Sequence, residues 1–265
     1  MAKLGNDVQI NLNHRVTAID YNNDLINVQT ANGKTFQADH VISTMSLGVL
    51  KKYHESIFDP KLPSNLITAI ENISFGAIDR IKLDFAEPFW DLNDPGLLIV
   101  QNEEKIITEV NRSNWFKHIF TFDEVNYHPN TLMGWLSGEA ARFMETLTDE
   151  EIGQDVCQYL QEVMQKYKGD PEWQIPKLRQ IIVTRWNSNP NFCGVYSYRN
   201  QASDAKGIVN KDLSFPLYVR GYPRLLFAGE ATDAEHYGTV HGAMSAAARE
   251  VSRLAEFWKN NQCST

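Results

Sequence analysis

Apolar and polar residues alternate over 8–19 and again over 25–43, broken at Tyr21–Asp24 and at Asn32-Gly33 by residues that favour turns. This pattern predicts a small antiparallel meander. Pro63 followed by Ser64–Asn72 predicts a short helix. Ile78–Phe85 alternates cleanly, placing Ile81, Leu83 and Phe85 on one strand face and Arg80, Lys82 and Asp84 on the other. Segments 97–101, 106–110, 117–122 and 131–137 predict further strands of a mixed sheet. Thr148-Asp-Glu-Glu151 is a capping box. Ile152, Val156, Leu160, Val163 and Tyr167 then recur at helical spacing, which predicts a core-facing stripe. Arg179–Trp186 reads as a strand, 199–216 as a polar loop, Arg224–Ala228 as a short buried strand and 239–258 as a helix rich in small residues. Strands first, helices in the middle and a closing strand and helix give an α/β chain without internal repeats.

Composition narrows the function classes. The 265 residues are 43% hydrophobic and 22% charged, enough for one large or two smaller domains. A net charge of −8 argues against a surface built for nucleic acid or anionic membranes. No apolar run approaches the ~20 residues of a membrane helix. Lys3, Asp7, Asn11 and Arg15 interrupt the first twenty residues, so no signal peptide is expected and cytoplasm is the default location.

The 15 glycines never approach closer than four residues, and no two are five apart. That excludes both G-x-G-x-x-G and the Walker phosphate loop. The serine of Gly134-Trp-Leu-Ser137-Gly138 comes one place late for a nucleophile elbow. Cys157, Cys193 and Cys263 form no C-x-x-C, and no H-E-x-x-H occurs, so no metal framework is expected.

The informative stretch is Leu225–Leu254. A buried strand runs into Gly229-Glu230, a turn follows, and Gly238-Thr239-Val240-His241-Gly242 opens a helix. The first turn of a helix presents unpaired N–H groups and partial positive charge, suited to an anion or an electron-rich ring edge. Glu230 is placed to accept hydrogen bonds from ligand hydroxyls. The pattern alone is better served by a small-residue helix packed on a sheet, with Glu230 as a cap.

Leu226–Thr232 followed by Tyr237–Ala243 resembles the C-terminal flavin-contact motif of the flavin-containing amine oxidases. Val41–Lys51, Ile73–Phe85 with Glu87-Pro-Phe-Trp90, and Trp186–Tyr198 resemble three further blocks of that family, in the family's order. Within the family, the likeness is to animal spermine and N1-acetylpolyamine oxidases. It covers roughly residues 8–258.

The resemblance implies part of a p-hydroxybenzoate-hydroxylase-like FAD-binding domain, built from 1–48 and 191–265, around a mixed-sheet α+β substrate domain over 49–190. It implies FAD as cofactor and oxidation of a polyamine to aldehyde and amine, with oxygen reduced to hydrogen peroxide. Val16 would contact the adenine side, Glu230 the ribityl or ribose side, and Gly238, Thr239 and Val240 the pyrimidine end of the flavin. Trp186 would pack near the ring. Tyr196 would form the aromatic wall, opposite Thr239. Arg80 stands where the family carries a lysine that holds a water on the flavin, and it cannot give up its proton as lysine can. Lys82, on the same strand face, is a possible stand-in. Monoamine oxidases tether flavin through a cysteine immediately before the wall tyrosine; Val195 is there instead, so non-covalent FAD is expected.

The family's opening strand–G-x-G-x-x-G–helix has no counterpart in the 265 residues. The chain is therefore expected to be a fragment or truncated form. Two other readings stay open: a catalytically inactive remnant or partner-binding fragment, and a relative of the histone-lysine demethylases, which share the Thr-Val-His-Gly block.

Overall fold

A computed structural model describes residues 8–91, 96–100 and 109–262. The chain forms two units, one from the residues up to Phe75 together with those from Tyr196 onward, the other from Gly76–Val195. Residues 49–75, assigned from sequence to the central segment, fold with the first unit.

In the first unit β1 (Val16–Asp20), β2 (Ile26–Thr30) and β3 (Thr35–Ala38) form the expected meander, antiparallel throughout. Gly33, at φ 82°, adopts the left-handed conformation that the β2–β3 turn needs. Two corrections follow. Residues 8–15 are not strand, because their alternating Val8, Ile10 and Leu12 lie 54–76% exposed, with no sheet to cover them. The meander also ends at Ala38: β4 (Val41–Ser43) leaves it and pairs parallel with a strand far along the chain.

A helix that the alternation hid, α1 (Leu47–Ile57), follows directly; Ser46 caps it by accepting the Val49 N–H at 3.2 Å. β5 (Phe58–Asp59) returns parallel to β1. α2 (Ser64–Asn72) has the predicted bounds and buries Leu66, Ala69 and Ile70. β6 (Ser74–Phe75) closes this half of the unit.

The second unit is a five-stranded sheet with helices. β7 (Ile78–Phe85) is central, and Ile81, Leu83 and Phe85 are fully buried as predicted. β8 (Gly96–Leu98), β9 (Thr121–Val125) and β10 (His128–Ser137) lie on one side of it. The strand expected over 106–110 falls largely outside the described residues. The one expected over 117–122 starts late, because Trp115–His118 is a 3-10 turn that buries Trp115 completely.

α3 (Gly138–Met144) and α4 (Asp149–Lys168) follow, then β11 (Leu178–Val183) on the other edge of β7. Every pairing in this sheet among the described residues is antiparallel, so the expected mixed sheet is not what forms. The Thr148 capping box opens α4, and its amide and hydroxyl hold the Glu151 carboxyl below the usual carboxylate range. Ile152, Val156 and Leu160 pack into one core with Ile81, Leu83, Phe85, Trp115 and Phe122. Tyr167 does not join them: it is 83% exposed, and Met164 takes the inward position one turn earlier.

The chain returns to the first unit through β12 (Ser197–Tyr198), which pairs with β6. The polar loop expected next contains α5 (Gln201–Ala205) and a 3-10 turn over Asn210–Ser214, built around buried Ser203 and Asn210. β13 (Leu217–Val219) and β14 (Tyr222–Phe227) form a hairpin, and β14 lies parallel to β4. Leu225, Leu226 and Phe227 are buried as expected.

α6 (Val240–Gln262) turns Gly242, Ala246 and Glu250 inward. Glu250 is fully buried, and Arg249 and Arg253 donate to its two oxygens at 2.6 and 2.8 Å. Arg249 also donates to the carbonyls of Phe227 and Thr232, so this charge group ties α6 to the end of β14. Removing the central carboxylate leaves two arginines facing each other without their counter-ion. Glu250→Ala should therefore cost about 3–5 kcal/mol of stability, measured by urea unfolding of the full chain; a loss under about 1 kcal/mol would show that the cluster does not anchor the helix.

Candidate functional site

Where β14 ends, Ala228 donates to the Ser43 carbonyl at 3.0 Å and Gly229 turns the chain at φ 115°, a conformation that favours glycine. Glu230 follows, half-buried, and its carboxylate gathers three donors. Ser197 N–H reaches Oε1 at 3.1 Å; the Ser197 hydroxyl and Gly238 N–H reach Oε2 at 2.7 and 2.6 Å. A carboxylate offers about four acceptor positions, so one remains, on Oε1. Asn210, itself buried, donates to the Ser197 hydroxyl at 3.1 Å and to the Ala231 carbonyl at 3.0 Å. Glu230 thus ties the start of β12 to the turn before α6.

That turn is shaped by Asp233, whose Oδ1 accepts the N–H groups of Glu235 and His236 at 3.0 and 2.7 Å. Gly242 allows α6 to press against it, since a Cβ there would lie 2.1 Å from the His236 carbonyl oxygen. Gly238, at φ 73°, packs on Tyr196, whose ring carbon Cδ2 would lie 3.5 Å from an added Cβ.

The Thr239 hydroxyl is occupied in capping: it donates to the His236 carbonyl at 2.6 Å and accepts the Gly242 N–H at 3.1 Å. Ala243 N–H goes to the Thr239 carbonyl. The N–H groups of Val240 and His241 have no acceptor among the described residues, and Val240 is 79% exposed. Two donors at the positive end of a 23-residue helix are therefore left without a protein acceptor, two and three residues after Gly238, which binds Glu230 and packs on Tyr196.

A second group lies in the other unit. Arg80 is on the exposed face of β7, with its guanidinium 4.3 Å from the centre of the Trp135 ring, its cross-strand neighbour. Lys82 shares this strand face. Trp186 is 37% exposed and meets Phe192 edge-on at 5.0 Å.

Beneath them Asp79 is 1% exposed, and its Oδ1 accepts the Thr184 hydroxyl at 2.8 Å and the Trp186 N–H at 3.2 Å. Burial and the adjoining Glu145 carboxyl push Asp79 up to about 7. Burial likewise pushes the Cys157 thiol up to about 11, so it is no reactive thiolate. Cys263 lies outside the described residues, which contain no group of three or more side chains arranged to hold a metal ion.

The structure thus brings Tyr196, Glu230, Gly238, Thr239 and Val240 together around one helix end, and Arg80 and Trp186 together through Asp79 and Thr184. Val16 stands apart, opening β1 beside a bulge in the meander. Sequence reading missed Ser197, Asn210, Asp79 and Glu145. Their partners lie 13 to 107 residues away, and only the polar character of Asp79 at the start of an otherwise apolar inward face gave any signal.

A family model for flavin containing amine oxidoreductase matches residues 1–255. The peroxisomal N(1)-acetyl-spermine/spermidine oxidases of Bos taurus and Homo sapiens are 33% and 34% identical over 237 and 244 residues, covering 87% and 88% of this chain. Human lysine-specific histone demethylase 2 is 28% identical over 257 residues, covering 96% of this chain and 29% of its own length. The chain spans 45% and 46% of the two polyamine-oxidising relatives. No helix of the described residues is long and apolar enough to cross a membrane. With a matched segment that runs nearly end to end, the chain belongs to the flavin containing amine oxidoreductase family.

Proposed function

We propose that this chain carries the ring end of a non-covalent FAD site and serves the oxidation of a polyamine, spermine or an acetylated polyamine. The observation that carries the reading is the pair of unpartnered N–H groups at Val240 and His241, set beside the Glu230 carboxylate in a member of this family. The first unit is the flavin-side portion and the second the substrate-side portion. The residues fit the ring end of the cofactor. The Val240 and His241 amides would hold the pyrimidine end of the flavin, and the free acceptor position of Glu230 Oε1 would take a hydroxyl of its side chain. They do not supply a diphosphate cradle, since no G-x-G-x-x-G occurs in the 265 residues.

The overall reaction consumes a secondary amine, oxygen and water, and yields an aldehyde, an amine and hydrogen peroxide. Bound flavin supplies the two-electron acceptor chemistry. The protein's part is placement. Tyr196, held against Gly238 and next to the Ser197–Glu230 bond, offers an aromatic wall to a long, thin amine. Trp186 and Arg80 take the substrate-side roles, with Arg80 replacing a proton-releasing lysine by a fixed cation. The net charge of −8 favours approach of a polycation. The two acetyl-spermine/spermidine oxidases among the relatives support the small-molecule amine.

After loading with excess FAD and desalting, the full chain should keep a flavin absorbance band and release hydrogen peroxide when given N1-acetylspermine or spermine. A colourless protein would contradict flavin binding; a yellow protein inert to every polyamine would contradict the substrate assignment alone. A sharper test is Val240→Pro. Proline is well tolerated at the first position of a helix and lacks only the N–H. The substitution should leave thermal stability nearly unchanged while weakening FAD binding by about tenfold, the loss of roughly one hydrogen bond; unchanged affinity would remove this amide from the site.

A further inference from the structure

Five consecutive residues, Thr184 to Ser188, are each held by a carboxyl group of the second unit. Thr184 donates its hydroxyl to Asp79 Oδ1, and Arg185 pairs with Asp149 at 2.7 Å. Trp186 N–H goes to Asp79 Oδ1. The N–H groups of Asn187 and Ser188 go to Glu145 Oε1 and Oε2 at 2.7 and 2.6 Å. The segment lies beyond the end of β11; besides the Thr184 N–H on the Arg80 carbonyl and the Gly194 N–H on the Trp186 carbonyl, these bonds hold its backbone.

The two central carboxyls accept successive amides, those of Trp186 and Asn187, and so lie close together, and Asp79 Oδ2 is buried with no donor to satisfy it. Two ionised carboxylates so placed would repel, and an orphan buried oxygen is costly. A single proton on Asp79 Oδ2, donated to Glu145, removes both difficulties. Glu145 keeps its two amide bonds, because each of its oxygens has a second acceptor position.

The surrounding charges are already committed. Arg185 is paired with Asp149 and also bonded to the Leu147 carbonyl. Arg80 lies over Trp135 on the other face of β7, shared by Lys82, and Arg142 on α3 is paired with Glu139. Among the described residues no lysine, arginine or histidine is hydrogen-bonded to Asp79 or Glu145.

We propose that Asp79 and Glu145 form a one-proton clasp, a pair of positioning residues that holds Trp186 and its neighbouring amides in place and loosens when the shared proton leaves. The consequence for amine oxidation rests on the function proposed above; the clasp itself does not. Burial and Glu145 place the titration of Asp79 at about 7, well above the ordinary range near 3.9. The folded state therefore keeps a proton that the unfolded chain gives up. The contribution of Asp79 to stability is fully present below about pH 4, is lost as pH rises to about 7, and does not change beyond.

The test is amide hydrogen exchange by NMR on the full chain without cofactor, with rates corrected for intrinsic pH dependence. Protection of Trp186, Asn187 and Ser188 should fall at least tenfold between pH 6 and pH 8, while that of the α4 core stays constant. Asp79→Asn, which keeps a permanent donor toward Glu145, should abolish the fall. Glu145→Gln, whose amide nitrogen cannot accept an N–H, should instead lose protection at Asn187 or Ser188 at every pH. Carboxyl 13C shifts of the wild-type protein provide the independent check. An Asp79 that titrates near 4, or protection that is flat from pH 6 to 8, overturns the clasp. A clasp that titrates as proposed in a chain that binds no FAD would refute the flavin reading and leave this inference standing.

Discussion

The arrangement at the candidate site depends on the carboxylate of Glu230. It sits at the end of a parallel strand, where the chain must reverse, and it receives donors from two segments with no other reason to meet. Ser197 belongs to a two-residue strand and Gly238 to the turn before α6. Without the negative charge, the buried Ser197 amide and the Gly238 amide would each lose their acceptor, at a cost of about 1–3 kcal/mol apiece. Tyr196, the free helix amides and the remaining acceptor of Glu230 are neighbours because this one group holds them so.

The buried Arg249–Glu250–Arg253 group works at the other end of the same problem. Glu230 sets where the helix begins, and Arg249 sets how closely its second half approaches β14. A helix whose inward stripe is Gly242, Ala246 and Glu250 has little apolar area with which to anchor itself. Charge-assisted bonds supply part of what a leucine stripe would supply elsewhere. The small residues remain necessary, since Gly242 leaves no room for a side chain beside His236.

The sequence made legible those features that local physics decides. Ser64–Asn72, the Thr148 cap and the inward set Ile81, Leu83 and Phe85 all appear where spacing and capping put them. Features decided by distant partners were hidden. Val41–Ser43 looks like a continuation of the meander, and only its parallel pairing with Leu225–Phe227 assigns it to another sheet. α1 escaped notice because it follows that strand within a few residues, with Ser46 as its only marker. For the candidate site, the Gly-Glu and Gly-Thr-Val-His-Gly blocks marked segments that the fold brings to one helix end. The Ser197 and Asn210 contacts that stabilise it, and the carboxyl pair beneath Trp186, needed the fold to be visible. The stacking of the Arg80 cation on Trp135, its cross-strand neighbour, likewise needed the fold to be visible.

The central claim is that this chain's own helix end receives the flavin ring. The most direct measurement is a 1H–15N NMR titration of the full chain with FAD. The account predicts that the amide resonances of Gly238, Val240 and His241 shift first and furthest, while those in the core of α4 do not move. Perturbation confined to other segments, or none at saturating FAD, would contradict it.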